Sequence, residues 1–283
     1  MVTTIALSGG KLLEDANSRG MTEIAAGVLD DWDAAAPNAS VAERMAGRDV
    51  RIDAGAGLDA LTLQLAGSVA DAGAAMRVVR ELLTAPVVTR ESVEASREQL
   101  VRELRLRGAD ARSAVSDATN ATVGGGADAR MMPPEERTLG AITVERVTEW
   151  VRRHAGENGA PIEVAIVGDL ALADALAMVD TTLGTLPKRE QISTRTNAAQ
   201  RAIVGGPAAA VQKEVAGVTQ VGAGRATIVR GCFGPEMAEL AEQRVLRALV
   251  RIAIARVKTR LAEPELGLGA GGAGAVEVGG GVY

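Results

Sequence analysis

Residues 161–190 constrain the fold more than any other stretch, because they specify a strand, a turn and a helix in succession. Between residues 162 and 167, Ile and Val alternate with Glu and Ala, which is the period of a strand with one buried face. A Gly-Asp pair ends this strand. A helix follows, and its predicted inward side chains recur at spacings of four, three and four: Leu172, Leu176, Val179 and Leu183. Gly184 is predicted to cap the helix, and Pro187 prevents its continuation.

Three upstream segments also read as strands: residues 3–7, 48–54 and 58–66. In the third, a leucine at every second position alternates with Thr62 and Gln64, so that one face is buried and the other faces water. This alternation is typical of an antiparallel sheet that is covered by helices on one side.

Predicted helices occupy most of the remaining sequence, and most of them follow a side chain that can cap a helix N-terminus. The caps and their helices are Ser18 or Asn17 before 21–29, Ser40 before 41–46, Ser68 before a helix that Pro86 stops, Thr89 before 90–107, and Thr143 before 144–154. A last helix spans residues 236–261, with predicted inward side chains Leu240, Val245, Leu249, Ile252 and Val257. The predicted fold class is therefore α+β, with two layers.

Composition excludes several classes of function. The net charge of -5 and the lack of a basic cluster argue against nucleic-acid binding. No segment reaches the roughly 18 uninterrupted apolar residues of a membrane span. The lone Cys232 cannot form an intrachain disulfide, and the first residues lack the basic and apolar regions of a signal peptide. Cytoplasmic and periplasmic locations both stay open.

The order of these elements resembles a domain of the insulinase/pitrilysin family of zinc proteases and their inactive homologues. Residues 12–32 are similar to the family's opening helix, and residues 40–68 to the strand pair that follows it. Residues 85–104, APVVTRESVEASREQLVREL, resemble its long charged helix. The ending Leu-Gly-x-Leu-Pro-x-Arg at residues 183–189 resembles the close of such a domain.

The resemblance implies a mostly antiparallel sheet packed on helices in a domain of residues 1–190. A polar, Gly- and Pro-containing linker is expected at 191–210, and an incomplete second domain of the same kind at 211–283. Relative to the family, we expect both ends of the chain to be truncated.

The family's chemistry is missing from the positions that match its motif. Active members carry His-x-x-Glu-His on the opening helix, where two His and a distal Glu hold zinc and the inner Glu activates water. The matching positions here are Glu23, Ala26 and Gly27, and His154 is the chain's one histidine. We therefore expect no catalytic, cofactor-binding or metal-binding residues in this chain, and we predict that His154 is exposed at a helix end.

Other candidate sites are weaker. Residues 267–272 fit Gly-x-Gly-x-x-Gly but do not follow a strand, so a nucleotide-binding loop is a remote alternative. The family's C-terminal half also supplies an Arg and a Tyr for substrate; Ala270 stands where the Tyr is expected, and Arg260 is no specific match for the Arg. Cys232 is predicted to be an idle thiol and Asp169 a turn residue. The acidic residues are predicted to form a solvated face: Glu14, Asp15, Asp30, Asp31 and Asp33.

Two functions from different classes follow. The first is a non-catalytic part of an insulinase-type metallopeptidase, which forms the wall of a peptide chamber and contacts the catalytic domain or subunit. The second is a stand-alone inactive assembly subunit that partners a catalytic zinc-protease subunit. In both, the peptide is the substrate of the assembled protein, zinc belongs to the catalytic part, and this chain binds neither nucleic acid nor a membrane interior.

Overall fold

A computed structural model describes residues 1–31, 35, 45–109, 113–117, 132–156, 159–189 and 240–264. The chain forms two compact units. All described residues up to 189 belong to the first unit, and residues 240–264 belong to the second. The predicted cap Ser40, the linker at 191–210 and most of the predicted second domain lie outside the described residues.

The first unit contains an antiparallel sheet of four described strands: β1 (Val2–Ser8), β2 (Val50–Ala56), β3 (Ala60–Gly67) and β4 (Ile162–Val167). Their order is β2-β3-β1-β4, and every neighbouring pair is antiparallel. The amino-terminal strand β1 lies between β3 and β4, with Ile5 opposite both Leu63 and Val164. This arrangement confirms the predicted α+β class with a mostly antiparallel sheet.

The helices of the first unit are α1 (Met21–Asp30), α2 (Val69–Thr84), α3 (Arg90–Ala109), α4 (Glu136–Gly140), α5 (Val144–His154) and α6 (Leu172–Thr181). Short 3-10 turns span Gly10–Leu13 and Leu183–Thr185. Helices α1 and α2 contact the sheet, while α3 and α5 pack against α1.

One face of the sheet and the inner sides of the helices form the hydrophobic core. The sheet contributes alternate residues that are almost completely buried: Ile5, Leu7, Ile52, Leu61, Leu63 and Leu65. Helices α1 and α2 contribute Ile24, Val28, Met76, Val79 and Leu83, as their spacing predicts. The residues between those of the sheet, such as Thr4, Thr62 and Gln64, lie on the opposite face, which is partly or fully exposed. The sheet is therefore half-buried, as its period-two pattern indicates.

Three of the predicted caps are present. The Thr89 hydroxyl accepts a hydrogen bond from the Ser92 N–H at the start of α3, at 3.0 Å. The Ser68 hydroxyl accepts a hydrogen bond from the Asp71 N–H at the start of α2. The Thr143 hydroxyl accepts one from the Arg146 N–H at the start of α5. Ser18 does not cap α1, because its hydroxyl bonds to the backbone and carboxylate of Asp15 instead.

Helix α6 departs from its predicted burial. Leu183 is buried and Val179 is partly buried, but Leu172 and Leu176 are 75% and 56% exposed. Among the described elements, α6 mainly contacts α2 and the 3-10 turn that follows it. Gly184 does not cap the helix either, since α6 ends at Thr181 and Gly184 lies inside the following 3-10 turn.

The second unit is described through helix α7 (Leu240–Leu261), inside the predicted 236–261. Four of its predicted inward side chains are about half-exposed in the structure: Val245, Leu249, Ile252 and Val257. The described part of this unit consists of α7 and the residues that follow it directly, so no second described element covers this side of the helix. None of the described helices is long and apolar enough to cross a membrane.

Candidate functional site

The three positions that match the zinc motif lie on α1, where it packs against α3. Ala26 is buried, and a Cβ atom built on Gly27 would overlap the hydroxyl of Ser96. That hydroxyl donates a hydrogen bond to the carbonyl of Ile24 at 3.0 Å, which ties α3 to α1 at this point. A histidine at position 27 would therefore need the two helices to separate. Ala26 and Gly27 therefore serve helix packing, and position 27 has no space for the side chain of a metal ligand.

Glu23, the remaining motif position, forms an ion pair with Lys11. Both side chains line a groove with a volume of about 450 Å³, whose other lining residues come from α3 and from the segment before α4: Leu100, Glu103, Leu104, Arg107, Ser113, Met132, Pro133 and Pro134. The groove thus brings two carboxylates together with two cationic side chains. The Lys11 ammonium neutralises Glu23, so that this carboxylate is a poor ligand for a divalent cation.

Glu14 is buried, which corrects the prediction that it belongs to a solvated acidic face. Its carboxylate accepts hydrogen bonds from the N–H groups of Gly20 at 3.1 Å and Thr22 at 2.7 Å, at the start of α1. Burial, and secondly the negative charge of Glu23, raise the pKa of Glu14 to about 7, although both N–H bonds favour the ionised form. Glu14 therefore caps α1, and Gly20 precedes the helix in a left-handed conformation with φ of 91°.

His154 is also buried, with no exposed surface, so the prediction of an exposed helix end is wrong. Its Nδ1 lies 2.9 Å from the carbonyl oxygen of Trp150, and the two rings lie 4.9 Å apart. Burial lowers the pKa of His154, which favours the neutral ring. Its Nε2 has no hydrogen-bond partner in the described part of the chain and faces Gly9. The helix turns this residue toward the core because Val147, Trp150 and Val151 share its side of α5.

Arg189 ends the motif Leu-Gly-x-Leu-Pro-x-Arg, and its role was missed in the sequence. Its guanidinium donates hydrogen bonds to four backbone carbonyls, at distances between 2.9 and 3.2 Å: those of Leu83, His154, Ala155 and Ala160. Burial lowers the pKa of this side chain. These carbonyls lie at the ends of α2 and α5 and just before β4, so Arg189 joins three elements. The signal in the sequence was the place of Arg189 at the end of this motif, which by itself does not identify the contact partners.

The other candidate residues do not converge on a site. Asp169 lies in the bend after β4, as predicted, and Arg260 forms an ion pair with Glu263 near the end of α7. Cys232 and residues 267–272, which include Ala270, lie outside the described residues. Across the described ranges, no three His, Cys, Asp or Glu side chains are grouped so that they could hold a metal ion. The side chains at the positions that match the zinc motif, Glu23, Ala26 and Gly27, therefore do not fit the zinc ion of the family that the sequence resembles.

No known protein-family profile matches the sequence, and no curated protein matches it. Solved structures do match its fold. The periplasmic protease PqqL from Escherichia coli is 21% identical, with a TM-score of 0.55 over 68% of this chain and 22% of that protein. A peptidase M16 inactive domain from Pseudomonas fluorescens is 16% identical, with a TM-score of 0.55 over 68% of this chain and 47% of that one.

Pitrilysin is 14% identical, with a TM-score of 0.53 over 68% of this chain and 21% of that protein. The chain is thus structurally similar to insulinase/pitrilysin-type peptidases, and it spans about a fifth of the length of PqqL and of pitrilysin. At these identities the similarity establishes the fold.

Proposed function

Because the chain has the fold of insulinase/pitrilysin-type peptidases, we propose that it is a non-catalytic part of such a protein, with no zinc site of its own. It forms part of the wall of a peptide chamber and a surface for the catalytic domain or subunit. Peptide-bond hydrolysis takes place on that catalytic part, which holds the zinc ion. The observation that carries this proposal is the packing of Gly27 against Ser96, at a position that matches a metal ligand.

The lack of a suitable donor set supports the proposal independently. Ala26 can neither bind a metal nor activate water, and Glu23 is neutralised by Lys11. The chain's single histidine, His154, is buried on α5 with its Nδ1 engaged by a backbone carbonyl. A zinc site of the His-x-x-Glu-His type needs two imidazoles on one helix face, and this chain has one imidazole in total.

The open face of the sheet supports a role as chamber wall. Helices cover one face, whereas the described residues of the other face are mostly small or polar, such as Thr4, Thr62 and Gln64. A face of this kind has groups that can hydrogen-bond to a peptide and contains no large apolar cluster that would need to be covered for stability. It is suited to line a water-filled space.

The two exposed leucines of α6 favour the second candidate, a stand-alone inactive subunit. Leu172 and Leu176 form an apolar patch in the first turns of a helix, and such patches mark contact surfaces. If the chain acts as a subunit, a separate catalytic protein with the His-x-x-Glu-His motif should co-purify with it from its source. If it acts as part of a longer polypeptide, the motif should instead be encoded in frame with it.

The test measures zinc content and peptide cleavage on the purified full chain. We expect substoichiometric zinc by elemental analysis after dialysis, and no cleavage of a mixed peptide library. The matched control is the triple variant Glu23→His, Ala26→Glu, Gly27→His, which restores the motif letters. We expect it to gain no activity and to lose stability, since position 27 has no room for a side chain. Stoichiometric zinc in the unmodified chain, with cleavage that a chelator abolishes, would contradict the proposal.

A further inference from the structure

His154, the chain's single histidine, lies where the end of α5 meets the turn after β1 and the segment that carries Arg189. Its side chain has no exposed surface, and its ring packs on that of Trp150, with 4.9 Å between the ring centres. A Cβ atom built on Gly9 would lie 3.2 Å from Nε2, so the backbone of that turn lies against the ring. The imidazole is therefore enclosed between α5 and this turn.

The hydrogen bond of Nδ1 fixes the position of the proton on the neutral ring. A backbone carbonyl can only accept a hydrogen bond, so Nδ1, 2.9 Å from the carbonyl oxygen of Trp150, carries the proton. In a neutral imidazole Nε2 is then an acceptor without a proton. This nitrogen has no hydrogen-bond partner in the described part of the chain, and the N–H of Gly9 donates to the Asp59 carbonyl at 2.6 Å instead. The neutral ring therefore fits the site with one unused lone pair.

The protonated ring does not fit this site. Its Nε2 would become a second N–H donor, and the described surroundings offer it no acceptor. Burying a charge without a partner costs far more than burying a neutral ring. Two cationic side chains increase this cost: Arg153 precedes His154 on α5, and the Arg189 guanidinium donates to the His154 carbonyl at 3.1 Å. Burial, and in smaller part the charge of Arg153, lower the pKa of His154.

The acidic side chains of the neighbouring described elements are engaged elsewhere. Residues 2–10, which contain β1 and the start of the turn, carry no charged side chain. On α1, which packs against α5, Glu23 is paired with Lys11, and Asp30 accepts a hydrogen bond from a backbone N–H of β2. Helix α3 meets α5 at its other end, where Arg97 donates to a carbonyl just before the helix begins. No described carboxylate therefore stabilises a positive charge on the ring.

We propose that His154 is an acid-sensitive switch at the end of α5: the neutral ring holds this end against the turn after β1, and protonation opens it locally. The carbonyl of His154 accepts hydrogen bonds from Arg189 and from the Ala160 N–H, so displacement of this residue also releases both contacts. The switch is independent of the proposed function, because it requires neither a chamber nor a catalytic partner.

The sign and the steepness of the response follow from the uptake of one proton. An exposed imidazole has a pKa of about 6.5, and that of the buried ring is lower, so the open state binds the proton more readily. Above about pH 6.5 the equilibrium constant for opening is unchanged by pH. Below this value it rises by up to about tenfold per pH unit, until the closed state is itself protonated. Glu14 has the opposite effect on stability in this range, because its pKa is raised.

Nuclear magnetic resonance of the imidazole nitrogens tests the first step, since the full chain contains one histidine. We expect the neutral ring to carry its proton on Nδ1 and to titrate with a midpoint below about 6.5. The matched control is Arg102→His, because the side chain of Arg102 on α3 is 64% exposed, and the added ring should titrate near about 6.5. A midpoint of His154 at or above that of the control would overturn the proposal, as would a proton on Nε2 of the neutral ring.

Amide hydrogen exchange tests the opening itself. The N–H groups of Ala155 and Ala160 report on the end of α5, since they donate to the carbonyls of Val151 and His154. Their protection, corrected for the intrinsic exchange rate, should fall at least threefold between about pH 6.5 and 5.5, while that of Leu63 in β3 falls less. Protection that stays constant at the end of α5 would contradict the switch. So would an equal fall at Leu63, which would indicate unfolding of the whole unit.

The variant His154→Gln removes the titrating group and keeps an amide that can donate to the Trp150 carbonyl. It should abolish the pH dependence of protection at Ala155 and Ala160, whereas Glu14→Gln should leave that dependence in place. A dependence that persists in His154→Gln would assign the opening to another group and overturn the proposal. The titration and the exchange measurement use the unmodified chain, so they decide the question even where this variant fails to fold.

Discussion

The first N–H groups of a helix are normally bonded by the side chain of a serine, threonine or aspartate at the N-cap. In α1 the carboxylate of Glu14 has this role. It reaches α1 from six and eight residues upstream, accepting bonds from the N–H groups of Gly20 and Thr22. Because burial and Glu23 raise the pKa of Glu14 to about 7, this residue links the stability of the first unit to pH.

The linkage has a definite sign. The pKa of Glu14 is about 7 in the folded chain and about 4.5 in an exposed glutamate, so the folded state binds more protons between these values. We predict that this residue's contribution to stability is largest below about pH 4.5. It should fall by roughly 3 kcal/mol as pH rises to about 7, and stay constant above that.

The measurement is the difference in unfolding free energy between the unmodified chain and Glu14→Gln, by urea titration at several pH values. Tryptophan fluorescence reports on the first unit, to which both tryptophans belong. Asp15→Asn is the control of opposite sign, because hydrogen bonding to Ser18 lowers the pKa of Asp15 and its contribution is lost as pH falls. A difference for Glu14→Gln that does not change with pH would refute the linkage.

Gly27 allows a second prediction at the residue scale. Gly27→Ala should destabilise the chain by about 1–3 kcal/mol, since the added Cβ overlaps Ser96 at the contact between α1 and α3. Gly73→Ala, in the interior of α2, should instead stabilise it by about 0.5–1 kcal/mol, since the nearest atom to a new Cβ is 3.7 Å away. Thermal denaturation of both variants measures the contrast, and equal effects would argue against tight helix contact at position 27.

At the scale of elements, Arg189 connects parts of the unit that are far apart in sequence. Its four carbonyl acceptors include Leu83 at the end of α2 and His154 at the end of α5. The last carbonyls of a helix lack partners within the helix, and a cation nearby is also favoured by the helix dipole. One guanidinium therefore satisfies two helix ends and holds them beside the start of β4.

We predict that Arg189→Met destabilises the first unit by about 2–4 kcal/mol, because it leaves buried carbonyl groups without donors. Arg152→Gln is the control, since Arg152 is exposed on α5 and its replacement should change stability by less than about 0.5 kcal/mol. Chemical denaturation followed by tryptophan fluorescence distinguishes the two. A small effect at position 189 would mean that water replaces the guanidinium and that the elements hold together without it.

At the scale of the whole molecule, aliphatic side chains form the core of the part that the structure describes. The core consists mainly of Ala, Val, Leu, Ile and Met side chains between the sheet and its helices, and the described residues include no group suited to a metal. The same architecture is found in PqqL and pitrilysin, of which this chain matches about a fifth. In this chain the positions that match the zinc motif serve helix packing and an ion pair.

Chelation should therefore leave the folded chain unchanged. We predict that EDTA and added zinc each shift the Tm of the full chain by less than about 1 °C. A metal ion that bound the folded state specifically would raise the Tm as its concentration rose, and its removal would lower the Tm. Differential scanning calorimetry provides the measurement, with a known zinc-dependent protein under the same conditions as positive control. A Tm that falls markedly in EDTA would reveal a structural metal.

The sequence alone determined the strands, most of the helices and the α+β class, because periods of two and 3.6 residues express which side of each element is buried. It also excluded a His-x-x-Glu-His site, since the residue types are missing. It wrongly placed Glu14 and His154 at the surface and the first leucines of α6 in the core. These outcomes depend on which elements meet: Glu14 with the start of α1, the inner side of α5 with the core, and α6 with α2 and the 3-10 turn after it. Only the tertiary structure decides them, because contacts between residues far apart in the chain leave no local pattern.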